Sequence, residues 1–231
     1  MDQSYLQKIR ELFPLDTGAM TLQKLSTLSP STRLYRVDTA SSSLIGDDLG
    51  NCYIIDTPEG QRIASHPHLV GSELEAQSLQ AAREFKAALK ELDMITDSTG
   101  ILHILRGSSG YMMHKVLPNL PLIRVRTEYR NDGYRAHSDD SRRIEVTYSD
   151  YDGFDLDTLI IPDTYATGRS VEAALQHMAE RGGKLSTIII YGFIAIPSMR
   201  RLSALCKTLG ARLITFAICD ITQLAANNYD M

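Results

Sequence analysis

TLIIPDTYATGRS, residues 158–170, runs directly into VEAALQHMAERGG, residues 171–183. The first four positions, Thr158 to Ile161, read as a strand buried on both faces. Val171, Ala174, Leu175 and Met178 recur at helical spacing, and Gly182 is a stop signal. The segment between them, Asp163 to Ser170, therefore opens a helix at the carboxyl end of a strand. Backbone N–H groups lack intrahelical partners there, and the helix dipole favours an anion. Thr167 and Ser170 add hydroxyl donors, and Gly168 permits close backbone approach. Asp163 cannot hold a phosphate itself, but it can accept from sugar hydroxyls or ligate a divalent cation. An acid followed by an anion cradle points to a phosphorylated sugar.

The segment resembles the phosphoribosyl-pyrophosphate (PRPP) motif of the type I phosphoribosyltransferases, in the form found in uracil phosphoribosyltransferases. Ala166, Thr167, Gly168 and Ser170 match that motif, with Arg169 in place of its second glycine. Pro162 and Asp163 stand in the reverse order of the family's Asp-Pro, so one acid remains. A second match follows in the right order. The apolar run ILHIL (101–105) leads into RGSSGYMMHKVL (106–117), where the family places an Arg, a small residue and a Gly as its pyrophosphate loop. Arg106 and Gly107 fit, and Ser108 replaces the glycine. An arginine fork suits phosphate oxygens, and small residues let amides reach them.

A third match is IRVRTEYRNDGYRAHSDDSRRIEVTYSD (123–150), in which Tyr129, Arg130 and Asp132 take the places of the family's Tyr-Arg and acids before a mobile hairpin. The residues also read as a hairpin on their own: Ile144, Val146 and Tyr148 alternate with polar residues, and Asn131 to Gly133 are turn material. The last match is ARLITFAICDITQLAANNYDM (211–231), a strand ending at Asp220 followed by Asn228 and Tyr229. Asn228 stands where the family has Gly, and asparagine tolerates left-handed backbone best after glycine. The family continues into a base-gripping segment beyond this point. Either the sequence is a fragment or its base pocket is built differently, and base identity stays open.

The chain of 231 residues, 43% hydrophobic, suits one α/β domain with an appendage. A net charge of −4 carries no basic excess that would signal nucleic acid. Cys52, Cys206 and Cys219 lie far apart, odd in number and without metal spacing, as reduced thiols of an intracellular protein would. The N-terminal MDQSYLQKIRELF has no apolar core of signal type, and the apolar stretch near 188–196 is too short to span a bilayer. His66 and His68 flank Pro67 without a third ligand at suitable spacing. His103 reads as a strand residue, and His114 and His177 as helix residues. Among the histidines only His137, in the hairpin, is a candidate to approach substrate.

The expected organisation starts with a short amphipathic helix, Tyr5 to Phe13, a Ser-rich loop, and a hairpin NCYIID-TPEG-QRIAS (51–65) turning at Pro58 to Gly60. Leu74, Leu79, Ala82, Phe85, Leu89 and Leu92 give a helix from Ser72 to Leu92 one apolar face. From Ile101 onward, strands ILHIL, PLIRVR, TLII, STIIIYGFIAI and ARLITFAIC alternate with helices, the last over Pro197 to Leu209 with Gly210 as its end. Such alternation means a parallel sheet wrapped by helices, with ligands at the carboxyl strand ends. The fold expected is thus α/β, a Rossmann-like parallel-sheet core of the type I phosphoribosyltransferase kind. The division is 1–70 as an N-terminal appendage or hood and 71–231 as the core, with a lid hairpin at about 131–147. SHPHLV (65–70) resembles a His-Pro segment near the start of the family's common region.

The resemblance implies transfer of a 5-phosphoribosyl group from PRPP to a nucleobase, uracil or another pyrimidine, releasing pyrophosphate in nucleotide salvage. Tyr165, Ala166, Thr167, Gly168, Arg169 and Ser170 would take the 5′-phosphate. Arg106, Gly107, Ser108 and Ser109 would take pyrophosphate together with Arg130. Asp163 and Arg130 would be catalytic, and Asp163 would also ligate the Mg²⁺ that accompanies PRPP. Ile218, Asp220 and Tyr229 would approach the base. The resemblance further implies a cytoplasmic homodimer, with neither nucleic acid nor membrane as partner. Two other readings stay open: another base such as orotate or a purine, or a PRPP-binding regulatory protein without catalysis.

Overall fold

The computed structural model describes residues 21–39, 49–105, 110–130, 143–151, 155–226, 228 and 231. In chain order the strands are β1 (Thr21–Ser29), β2 (Thr32–Asp38), β3 (Asn51–Asp56), β4 (Thr99–Ile104), β5 (Leu122–Tyr129), β6 (Ile144–Ser149), β7 (Thr158–Pro162), β8 (Thr187–Ala195) and β9 (Arg212–Thr222). The helices are α1 (Pro58–Ser65), α2 (Gly71–Glu91), α3 (Met113–Val116), α4 (Arg169–Glu180) and α5 (Ile196–Leu209), and a 3₁₀ turn, Gly110–Met112, leads into α3.

The nine strands form one sheet in the order β1-β2-β3-β9-β8-β7-β4-β5-β6. Every pairing from β3 to β5 is parallel, while β1, β2 and β6 add antiparallel ends. This is the expected α/β, Rossmann-like architecture, dominated by parallel strands. β7 is buried at all five positions because β4 and β8 pair with its two edges and helices cover both faces. Val171, Leu175 and Met178 of α4 and Met199 and Leu202 of α5 pack on Leu159 and Ile161 from one face. Phe85 and Leu89 of α2 pack on Ile160, Tyr191 and Phe216 from the other. There Phe85 stacks on Tyr191 at 4.1 Å and meets Phe216 edge-on at 5.1 Å, a geometry that adds attraction beyond the area buried. Gly182 (φ 84°) follows α4 and Gly210 (φ 69°) ends α5, in the left-handed geometry that helix stops favour.

One expectation is corrected. Residues 51–65 are a strand and a helix, not a hairpin. Pro58 is the first residue of α1, where its fixed φ and missing N–H are compatible with helix. Thr57 is extended at the cap, and its carbonyl accepts from the Gln61 N–H at 3.0 Å. Gly60 serves close packing rather than a turn: a Cβ there would stand 2.4 Å from Ile218 Cγ2 and 2.7 Å from Cys219 Sγ. β3 therefore pairs with β2 on one edge and β9 on the other. The hairpin of this region lies earlier, in β1 and β2. The helix expected at Tyr5 to Phe13 and the Ser-rich loop at 40–48 lie outside the described residues.

Candidate active site

The carboxyl ends of β7, β4 and β9 carry the residues expected to meet substrate. After Pro162 the chain stays against β8: the Asp163 N–H donates to the Tyr191 carbonyl at 3.0 Å and the Tyr165 N–H to the Phe193 carbonyl at 2.8 Å. Gly192 (φ 153°) makes that path possible, since a Cβ there would stand 1.7 Å from the Asp163 carbonyl oxygen. Asp163 is 9% exposed, and its Oδ1 accepts from the Thr164 N–H at 2.7 Å. The Tyr165 side chain is fully buried under the loop and its hydroxyl donates to the Ile161 carbonyl. Burial holds that phenol well above its usual pKa. What Tyr165 offers at the loop's outer side is therefore backbone.

Gly168 caps α4 in left-handed geometry, φ 75° and ψ 1°. A Cβ on it would lie 3.2 Å from the Ser198 Cβ and 3.3 Å from the Ser198 Cα in the first turn of α5. Its carbonyl accepts from the Glu172 N–H at 3.0 Å, which starts the helix. The preceding carbonyl, of Thr167, accepts from Arg201 Nε at 2.9 Å. A trans peptide points its N–H opposite to its C=O. The Gly168 N–H is thus aimed away from Arg201, at the start of α4, where the helix dipole also favours an anion.

β4 ends beside this loop. Arg106, Gly107, Ser108 and Ser109 lie outside the described residues, but their flanks are placed. Leu105 donates to the Val125 carbonyl at 2.8 Å, and beyond the gap Tyr111 and Met112 adopt φ 45° and 58°. The Tyr111 hydroxyl hydrogen-bonds with Thr164 Oγ1. Its ring meets Tyr191 and Phe193 edge-on at 5.9 and 6.1 Å. Burial pushes the Tyr111 phenol up to about 12, so it keeps its proton. The chain after the candidate pyrophosphate loop is tied in this way to the residue after Asp163.

Arg130 follows β5, with β4 between that strand and β7. Its N–H donates to the Arg143 carbonyl at 2.9 Å and its Nε pairs with Glu145 of β6 at 2.7 Å. β5 and β6 pair antiparallel; of the hairpin expected at about 131–147, residues 131–142, with His137, lie outside the described residues. At the far side of the edge, Ile218 is 1% exposed, its side chain packed at Gly60. Cys219 takes φ 63° and its thiol donates to the Thr57 carbonyl at 3.4 Å, while the exposed Asp220 accepts from the Ile221 N–H at 2.7 Å. Asn228 has the left-handed φ of 59° that its residue type suggests. Tyr229 lies outside the described residues.

Burial pushes the Cys52 thiol up to about 12 and those of Cys206 and Cys219 to about 11, so none supplies a thiolate nucleophile at neutral pH. Among the described residues no three His, Cys, Asp or Glu side chains gather as a metal site. A Mg²⁺ that arrives on its substrate needs one or two protein carboxylates and takes its other oxygens from phosphates and water. Asp163, the carboxylate directly after β7, fits that demand. Sequence reading missed Tyr111, Gly192 and Arg201. Gly192 alone left a trace, as a glycine inside an apolar strand, which marks a close backbone approach.

Among the described residues no helix is long and apolar enough to cross a membrane. No family model and no curated protein sequence matches the chain. The AQ2163 protein from Aquifex aeolicus is similar to it in structure, with TM-score 0.54 and 15% identity over 74% of this chain and 88% of that one. An adenine phosphoribosyl transferase from Trypanosoma brucei superimposes with TM-score 0.45 and 15% identity, over 72% of this chain and 83% of its own. A hypoxanthine phosphoribosyltransferase from Staphylococcus aureus gives TM-score 0.43 and 14% identity, over 64% and 74%. At such identities likeness speaks to fold, and the fold shared with the Aquifex protein extends along most of both chains.

Proposed function

We propose that this protein transfers a 5-phosphoribosyl group from PRPP to a nucleobase and releases pyrophosphate. The observation that carries the reading is the loop from Asp163 to Gly168. It combines a carboxylate with a left-handed glycine whose N–H points away from Arg201 at a helix start, after an interior strand of the sheet. Residues 165–170 would bind the 5′-phosphate by backbone N–H groups and by the Thr167 and Ser170 hydroxyls. Asp163 would hold ribose hydroxyls or the Mg²⁺ that enters with PRPP. Residues 106–109, joined by Arg130, would stabilise the departing pyrophosphate as positive charge grows on the anomeric carbon. No covalent nucleophile is required. Orientation and exclusion of water are the protein's share, with the hairpin at about 131–147 as lid. Residues 71–231 would form the transfer core and 1–70 its hood, with Ile218, Asp220 and Tyr229 on the base side. Uracil or another pyrimidine as acceptor, a role in salvage, a cytoplasmic setting and a homodimer belong to the same proposal and rest on the motif resemblance.

Gly168→Val tests the phosphate loop. Left-handed backbone costs a β-branched residue about 1–2 kcal/mol, so the variant should melt a few degrees lower yet stay folded. Calorimetry should detect no binding of Mg·PRPP. Unchanged affinity in the folded variant would remove the loop from the site. A pyrophosphate-release assay across a panel of bases then names the acceptor. PRPP binding without turnover on any base would assign a regulatory role instead.

Arg130→Ala tests the leaving-group contact. The Arg130–Glu145 pair is half exposed, and such pairs contribute about 0–1 kcal/mol to stability. A charge-assisted contact to a desolvated phosphate is worth about 1.5–3 kcal/mol. kcat/KM should therefore fall roughly tenfold to a hundredfold while melting and ribose 5-phosphate binding barely change. Full activity would take Arg130 out of the reaction.

A further inference from the structure

Arg201 projects from the second turn of α5 onto the loop and helix that follow β7. Two of the bonds from its guanidinium are equal in length. Nε donates to the Thr167 carbonyl and Nη1 to Glu172 Oε2, each at 2.9 Å. Both side chains of the ion pair are mostly shielded, Arg201 31% and Glu172 26% exposed, so solvent screens the pair less than a surface one. Glu172 is the acid in the first turn of α4. A carboxylate there suits the helix dipole, but it competes with and repels any other anion at the same helix start.

We propose that Arg201 is a positioning residue for anion binding at Gly168, acting through Thr167 and Glu172. The inference rests on the reading of residues 165–170 as the 5′-phosphate loop. One arm of the fork holds the Thr167 carbonyl on the α5 side. Peptide planarity then fixes the Gly168 N–H toward the opposite side. The other arm neutralises Glu172, so that the helix start presents its dipole to the ligand without an uncompensated carboxylate beside it. The arrangement needs arginine, because a lysine ammonium has no planar fork to serve both acceptors in fixed geometry. Gly168 lies against Ser198 of the same α5 turn. The loop is thus referenced to α5 twice, by contact at Gly168 and by hydrogen bond at Thr167.

The test is calorimetric titration of the full chain with ribose 5-phosphate, which carries the phosphate but no pyrophosphate. Arg201→Ala should weaken binding roughly tenfold, the loss expected for one charge-assisted hydrogen bond plus an exposed repulsion. Glu172→Gln placed in the Arg201→Ala background should recover roughly threefold of that loss, because it deletes the repulsion and leaves the carbonyl unheld. A role in packing alone predicts no recovery from the second substitution. Arg201→Lys keeps the charge beside Glu172 and loses the fork, so it should bind between wild type and Arg201→Ala. It also decides the matter if the alanine variant fails to fold. Wild type binding ribose 5-phosphate no better than Arg201→Ala or Arg201→Lys, with all of them binding it, overturns the positioning role and spares the phosphate reading. A wild-type chain that does not bind ribose 5-phosphate overturns the phosphate reading and the positioning role with it.

Discussion

Gly192→Ala should disable the site and destabilise the fold together. The added Cβ would stand 1.7 Å from the Asp163 carbonyl oxygen and 3.2 Å from the Tyr111 ring. Backbone cannot yield as a flexible side chain does, so the chain from Pro162 to Tyr165 would have to lift off β8 by on the order of 1 Å. Overpacking of that kind costs up to about 3 kcal/mol, equivalent to a fall of roughly 6–12 °C in melting temperature for a chain of this size. The same shift carries the Asp163 carboxylate and the Thr164 hydroxyl with it. A misplacement of about 1 Å can lower turnover about a hundredfold. Melting followed by circular dichroism and pyrophosphate release measured on the same sample would check both parts. A variant with wild-type melting and wild-type turnover would show that neither the fold nor the site depends on a glycine at position 192.

Asp163→Asn should separate activity from stability. Asparagine keeps the shape and an Oδ1 acceptor for the Thr164 N–H, so the 2.7 Å bond can persist. The change removes a negative charge that, on the proposed reading, faces Mg·PRPP. Turnover should fall roughly tenfold to a hundredfold, the range for a lost interaction with a charged group of about 1.5–3 kcal/mol. Melting temperature should move by no more than a few degrees. Raising Mg²⁺ should restore part of the rate if the carboxylate ligates the ion, and none if it only orients ribose. Unchanged turnover would reduce Asp163 to a strand-end residue.

Most of the parallel core was legible because β4, β7, β8 and the greater part of β9 are buried on both faces and written as near-continuous apolar runs, with α4 and α5 in clear helical period between them. The antiparallel end was not. β1 is exposed along most of its length and carries polar residues throughout, so no burial pattern marks it. Pro58 and Gly60 misled because proline opens helices as readily as turns, and glycine can serve close packing as well as a bend. In the candidate site, Asp163 and Gly168 stand out in the sequence because they belong to one contiguous motif. Tyr111 and Arg201 could not, since their partners lie 53 and 34 residues away in sequence. A hydrogen bond across such a distance leaves no local pattern.

β9 lies between β3 and β8, so among the described strands the latest in the chain is the one that joins the first three to the rest of the sheet. During synthesis the ribosome releases β1, β2 and β3 long before residues 212–222 exist to receive them. Until then the β3 edge is an open template, and the helix that follows it has no β9 surface to press Gly60 against. The nascent chain therefore carries an unfinished meander until residues 212–222 have been made. β9 has to be accommodated between two strands, β3 and β8, rather than added at the rim.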